Sequence, residues 1–369
     1  MADFIYSSLF GELTRQTKLR FDAASLRNRQ LFDNVIYPGF FRWDVPGIGL
    51  DFSEIIGSYN LTVSAATVDP NSKEPVRVPY GLEELNQKVL KHAHTYAYPI
   101  QEYRKVLQIL DSRMLDDGER KRQLVQLMWG GVTNAVAGVE AALDKIVLGA
   151  LSNEGIFTFN ASNNPEGGVK TSIDYGMPSQ NKKGVTVDWV DANVNTVDVL
   201  GDIQAMHNEA FNSTVLSEIW LSSEKLLFVL KAAKLKLSIF GNDRQNTPLT
   251  LVELNDFMAK NGMPVFRVIR RKMMIQEQDG RLTPHTPWNG KNVVFVPAGE
   301  LGVIKNAYTD SELRPEPTVS YSNYGRIRVS QWGVGEAQNT NGVEFVKAEA
   351  LALPVITAIK GIYSLKTEP

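Results

Sequence analysis

Residues 116–151 read DDGERKRQLVQLMWGGVTNAVAGVEAALDKIVLGAL. Apolar side chains recur at Leu124, Met128, Val132, Ala135, Val139, Leu143, Ile146 and Ala150, a three-and-four spacing that predicts one continuous helix. Asp116 is placed to cap it, with Glu119 three residues on completing a capping box. Six charged residues between Asp116 and Arg122 put the first turns toward solvent. Asn153 and Gly155 are the stop. At about 1.5 Å per residue the rod is on the order of 50 Å long, well beyond an ordinary globular helix. Gly130, Gly131 and Gly138 lie inside it and each weakens the helix relative to alanine. Their use is close approach by a crossing strand, or a bend. Small residues along the seam argue against a coiled coil. The stretch is read as a spine against which other layers pack.

The rest of the 369 residues is long enough for two or three domains and a sizeable core. With 43% apolar residues the chain is a folded one. Its 39 basic and 41 acidic residues give a net charge of −2, so no global attraction to nucleic acid is visible. There is no cysteine, which removes disulfide and thiolate chemistry and leaves the redox compartment open. The start, Met1-Ala2-Asp3-Phe4-Ile5, lacks a signal-peptide pattern, and no apolar run is long enough to span a membrane, so a soluble, intracellular product is expected.

Ahead of the spine, Arg15, Lys18, Arg20, Arg27 and Arg29 alternate with scattered leucines up to residue 40, as in a basic arm or one or two thin helices. Residues 37–50, YPGFFRWDVPGIGL, form a turn-rich segment anchored by Phe40, Phe41 and Trp43. Residues 59–68, YNLTVSAATV, alternate like a strand, 69–72 form a turn, and 74–79 return. Neither face of that hairpin is strongly apolar, and two-stranded ribbons are marginal alone, so the expectation is that it lies on something else, a second subunit being the natural candidate. Leu82, Leu85, Val89 and Ala93 predict a helix over 82–96, and Tyr103, Val106, Leu107 and Leu110 another over 100–113.

After Gly155 the pattern turns to strands at 156–160, 169–174 and 184–189. A helix over 195–211 is expected to be capped by Asn195, and a short strand at 219–221 to lead into a helix capped by Ser222. Thr250 and Glu253 form a capping box closed by Asn261-Gly262. Further strands are read at 264–275, 325–330 and 343–348, with 292–297 a compact apolar strand of central type. Pro315 and Pro317 mark a linker. The fold class is α+β.

Chemistry is sparse. His92-x-His94 is the one close histidine pair; the two would share a face only in a strand, and no third ligand stands at a metal-site spacing. His207 falls on the inner side of its helix and His285 in a Pro-rich loop. Gly47-x-Gly49 and Gly333-x-Gly335 are isolated glycine pairs that open no strand-to-helix phosphate cradle. Asp116-Asp117 and Glu83-Glu84 are acidic pairs at expected helix starts, where negative charge is favoured anyway. No nucleophile elbow occurs. Lys225, Lys231, Lys234 and Lys236, and Arg267, Arg270, Arg271 and Lys272, form basic clusters that read as solvated surface or as a modest contact for phosphates or an acidic partner. No catalytic, cofactor or metal residue is assigned.

The order of these pieces resembles a family. Segments 31-LFDNVIYPGFF-41, the ribbon 57–80 and 96–151 ending in Asn153-Glu154-Gly155 are similar to tailed-phage major capsid proteins. So are 219-IWLSSEKLLFVLKA-232, 290-GKNVVFVPAGELGVIKNAY-308 and 348-AEALALPVITAIKGIYSLKT-367. More narrowly the chain looks like the lambda-like major capsid protein E family of the HK97-type shell fold. The resemblance implies an N-terminal arm at 1–46, an extended β-hairpin loop at 47–82, a peripheral domain at 83–214 holding the spine 116–151, an axial domain at 215–315, and a C-terminal return to the peripheral domain at 316–369. It implies a non-enzymatic subunit that assembles with itself, as pentamers and hexamers, into an icosahedral head around double-stranded DNA, assembled in the host cytoplasm. Implied partners are a separate scaffolding protein, portal and head-completion proteins and, in some relatives, a cementing protein, with no membrane. Some shells of this fold carry Lys–Asn crosslinks; Lys73 at the ribbon tip is an ordinary turn lysine and is not expected to make one. A shell of the same fold holding protein cargo, as in encapsulins, is the alternative.

Overall fold

The computed structural model describes residues 35–56, 83–98, 108, 117–165, 171–210, 214–242, 247–334 and 343–368, and all structural statements concern these residues. The first elements are β1 (Phe41–Trp43), β2 (Asp51–Ile56), β3 (Glu83–Lys88), β4 (Leu90–Tyr98) and the spine α1 (Asp117–Ser152). They are followed by β5 (Ile156–Thr158), β6 (Ser172–Asp174), β7 (Lys182–Gly184), α2 (Val199–Ala210), β8 (Leu216–Ser222), α3 (Ser223–Lys231), α4 (Ala233–Phe240) and α5 (Leu251–Lys260). The last set is β9 (Val265–Ile269), β10 (Met273–Gln276), β11 (Leu282–His285), β12 (Asn292–Pro297), β13 (Gly302–Ala307), α6 (Asp310–Leu313), β14 (Ser320–Tyr324), β15 (Ile327–Val334), β16 (Val343–Val355) and β17 (Tyr363–Lys366).

The spine is one helix, as its periodicity predicts. Leu143, Ile146, Leu148 and Leu151 are fully buried, each contributing roughly 1.5–3 kcal/mol relative to exposure. That outweighs the penalty of about 1 kcal/mol for each helical glycine. Gly138 has a definite use: a Cβ there would meet the His94 ring on β4 at 2.0 Å. The helix stops where Glu154 and Gly155 take positive φ and the Gly155 amide returns to the Ala150 carbonyl.

The spine lies on a six-stranded sheet built around the 13-residue β16. One edge of β16 carries β15 and then β13 in succession; the other carries β4 over nine residues, Leu90 to Tyr98. Ala348, Ala350 and Ala352 alternate toward the core, small enough for the spine to cross closely. A second, five-stranded sheet runs β7-β17-β12-β8-β9. Its central strand β12 is buried along its whole length and serves two cores at period two. Val294 and Val296 join the spine's core, while Val293 and Phe295 join a core roofed by α2, α3, α4 and α5.

Several expectations are corrected. Residues 83–96 are not a helix but the strands β3 and β4; Glu83 and Glu84 therefore start a strand. The strand expected over 264–275 breaks between β9 and β10, and that over 184–189 is the shorter β7. The cap of α2 is Asp198, whose Oδ1 accepts from the Gly201 amide at 2.9 Å, rather than Asn195. β17 leaves the spine's sheet and pairs with β12 and β7. The Ser222 cap of α3 and the Thr250–Glu253 capping box of α5 are as expected. The basic arm, the hairpin 59–79 with Lys73, and the helix over 100–113 lie outside the described residues.

Candidate functional site

The chemistry-bearing residues do not converge. His92 and His94 share one face of β4, but His92 is buried with Nε2 3.1 Å from the Ala352 carbonyl, and His94 stacks on Tyr96. Burial pushes the His92 pKa down to about 4, so the ring is neutral at pH 7. His207 is half-buried on α2, and His285 is half-buried on β11, a strand rather than the expected loop. Gly333 sits within β15, and the Gly47 amide donates to the Asn306 carbonyl, so Gly47-x-Gly49 opens no helix; Gly335 lies outside the described residues. Among the described residues no group of three or more histidine, aspartate or glutamate side chains is placed to hold a metal ion. No helix there is long and apolar enough to cross a membrane.

Each basic cluster loses a member to an internal partner, while Lys231, Lys234, Arg270 and Lys272 stay exposed. Lys225 is buried, its Nζ donating to the Trp189 carbonyl at 3.0 Å and to Glu368. Arg267 lies over the Phe40 ring at 4.7 Å and the Trp220 ring at 5.6 Å. Arg271 is an ion-pair partner of the fully buried Asp144. Arg270 and Lys272, on either side of the inward Arg271, are exposed, because alternate residues of an extended chain face opposite ways.

What the fold does present is a ribbon rooted on the spine's sheet. β2 and β3 pair in antiparallel register from Asp51↔Lys88 to Ile56↔Glu83 and, among the described residues, with no other strand. The root is tied down. The Gly47 amide donates to Asn306, the Tyr308 amide to Gly47, and the Val89 amide to Leu50. Lys305 on β13 bridges Asp44 beside β1 and Glu54 on β2. Burial opposes the Lys305 charge, but the hydrogen bonds and fields of the two carboxylates prevail and raise its pKa. Apolar side chains near this root are exposed: Val45 is 81% exposed and Ile48 79%, with Leu50, Tyr308 and Leu313 also exposed. The β2–β3 pair is held at this end by Leu85 in the spine's core and Phe52 against it, and is rimmed by exposed aliphatics.

The segment just before the root touches all three large elements. Tyr37 is fully buried and its hydroxyl donates to Glu140 of the spine. Phe40 packs edge-on against Trp220 of the five-stranded sheet, ring centroids 4.7 Å apart. β1 then pairs in parallel with β13, Phe41 opposite Gly302. Sequence reading singled out Phe40, Phe41 and Trp43 as anchors. The carboxylates that hold Tyr37 were invisible to it, being helical residues distant in sequence.

No protein-family model matches the chain, and no curated protein matches it. Solved structures do. A protein of an Escherichia coli CFT073 prophage, provisionally described as its capsid protein, superposes with a TM-score of 0.56 at 12% identity over 95% of this chain and 99% of its own. A phage-related protein from Bordetella bronchiseptica RB50 superposes with a TM-score of 0.51 at 11% identity over 94% of this chain and 95% of its own. The likeness is one of fold, and the fold is the HK97-type capsid fold expected from the sequence.

Proposed function

We propose that the chain is a major capsid protein, a structural subunit that closes with copies of itself into an icosahedral phage head around double-stranded DNA. The observation that carries this reading is the ribbon root: β2 and β3 pair only with each other among the described residues, beside exposed Val45 and Ile48, on a chain whose fold matches a prophage protein provisionally described as a capsid protein over nearly its full length. An isolated ribbon buries too little surface to order itself. Laid on a neighbouring subunit it gains that burial, and repetition around closed symmetry turns many modest contacts into a stable lattice.

In this reading residues 1–46 are an arm and 47–82 the loop that reaches across a neighbour. The spine's sheet is the core of a peripheral domain over 83–214, joined by β14 to β16 of 316–369, while β17 at the end of that segment crosses to the five-stranded sheet. Residues 215–315, with β8, β9, β12 and the helices above them, form an axial domain whose loops meet at the five-fold and six-fold axes of pentamers and hexamers. The net charge of −2 suits an inner wall that must not grip packaged DNA, since attraction grows with each phosphate neutralised. A separate scaffolding protein, a portal and head-completion proteins are the partners this assignment calls for, with a cementing protein added in some shells of this kind. The subunit carries no catalytic role.

Excising residues 57–80 tests the reading. The account predicts a chain that still folds, with its near-ultraviolet dichroism retained, but no longer yields closed particles. Intact particles from the shortened chain would contradict it.

A further inference from the structure

Asp144 lies on the buried face of the spine with none of its side chain exposed. Its carboxylate accepts from the Tyr37 amide at 2.9 Å and from the Ile36 amide at 3.1 and 3.2 Å. On the other side Arg271 Nε stands 2.9 Å from Oδ2, as an ion pair off hydrogen-bond alignment. Arg271 follows β9 by two residues, so it belongs to the exit of the five-stranded sheet. One buried carboxylate thus touches the spine that carries it, the segment that continues into β1, and the edge of the second sheet. The neighbouring contacts follow the same three-way pattern: Tyr37 to Glu140 on the spine, Phe40 to Trp220 and Arg267 on the second sheet.

A buried ion pair is a poor source of net stability, because desolvation offsets most of the attraction. Its distinct contribution is geometric: a charge taken out of water is satisfied in one arrangement and in few others. The five-stranded sheet also meets the spine through Trp220, Ile269, Val294 and Val296 in the spine's core, while α2 to α5 roof a second core; such apolar contact is non-directional and leaves the angle to the directional bonds of Asp144.

We propose that Asp144 is the pin of a joint: by holding the Ile36 and Tyr37 backbone on one side and the Arg271 guanidinium on the other, it sets the angle between the spine and the five-stranded sheet, and its release frees that angle without unfolding either core. The inference rests on the fold alone and does not depend on shell formation.

The absence of cysteine makes the test clean. Spin labels on cysteines introduced as Asn134→Cys on the spine and Val252→Cys on α5, both exposed positions, read the distance across the joint. The labelled chain is diluted with unlabelled protein so that only within-chain pairs contribute. The parent should give one narrow distance distribution. Asp144→Asn, which keeps an amide acceptor but loses the charge, should broaden it, and Arg271→Gln should do the same, with the double variant no broader than the wider single one. Hydrogen exchange of the β12 amides over 293–296 serves as the control for global unfolding. An unchanged distribution in Asp144→Asn would overturn the proposal. So would a broadening accompanied by loss of β12 protection, since Asp144 would then support the fold at large.

Discussion

At the scale of single residues, two positions show how little room the interior leaves. A Cβ on Gly302 would lie 2.0 Å from the Val355 carbonyl oxygen and 2.6 Å from the Phe41 ring, inside the β13–β16 pairing. Backbone cannot step aside as a side chain can, so Gly302→Ala should destabilise by about 2–3 kcal/mol. Gly39→Ala, with nothing within 4 Å of the new methyl, should stay within about 0.5 kcal/mol of the parent in the same urea titration. His92 supplies a pH dependence. Its folded pKa of about 4 lies below the ordinary 6.5, so as pH falls the unfolded chain takes up the proton first. The stability concerned is present above pH 6.5 and is lost as pH falls toward 4, to the extent of on the order of 3 kcal/mol. Urea midpoints measured at pH 7 and pH 4.5 should differ more for the parent than for His92→Gln. Equal differences would show that another group carries the acid sensitivity. Neither feature could be read from the chain alone: Gly302 needs a partner carbonyl from β16, and His92 owes its burial to the same strand.

Elements were legible where local rules decide them. The spine announces itself by period and by its Asn153 and Gly155 stop, and α5 by its Thr250–Glu253 box, which the structure forms in both directions. Thr250→Ala removes one half of that box and should cost about 1 kcal/mol, read as a lowered melting temperature that Thr250→Ser largely restores. Residues 83–96 misled because Leu85, Val89 and Ala93 fall at helical spacing by chance. Their true alternation, Leu90, His92, His94 and Tyr96, is carried by histidine and tyrosine, which do not register as apolar. Nine residues of register with β16 then override local preference. The Pro264–Ile275 strand failed differently: Arg271 turns inward to meet Asp144, and the ladder breaks there.

For the molecule as a whole, the two cores are joined through β12 and through the segment that runs from Ile36 into β1, and the ribbon touches the spine's core through Leu85 and Phe52 while pairing with no third strand among the described residues. The α+β class and the HK97-type fold were legible in the order of segments, because that order fixes which layers can meet. The joint was not, since Ile36, Asp144 and Arg271 are brought together only by tertiary packing. A subunit that leaves Val45, Ile48 and Leu50 exposed beside its ribbon should not remain alone at high concentration. Electron microscopy of the purified full-length protein, with sedimentation velocity on the same sample, tests that directly. The account predicts uniform, hollow, closed particles; a chain that sediments as a discrete monomer at high concentration and shows no particles would contradict it.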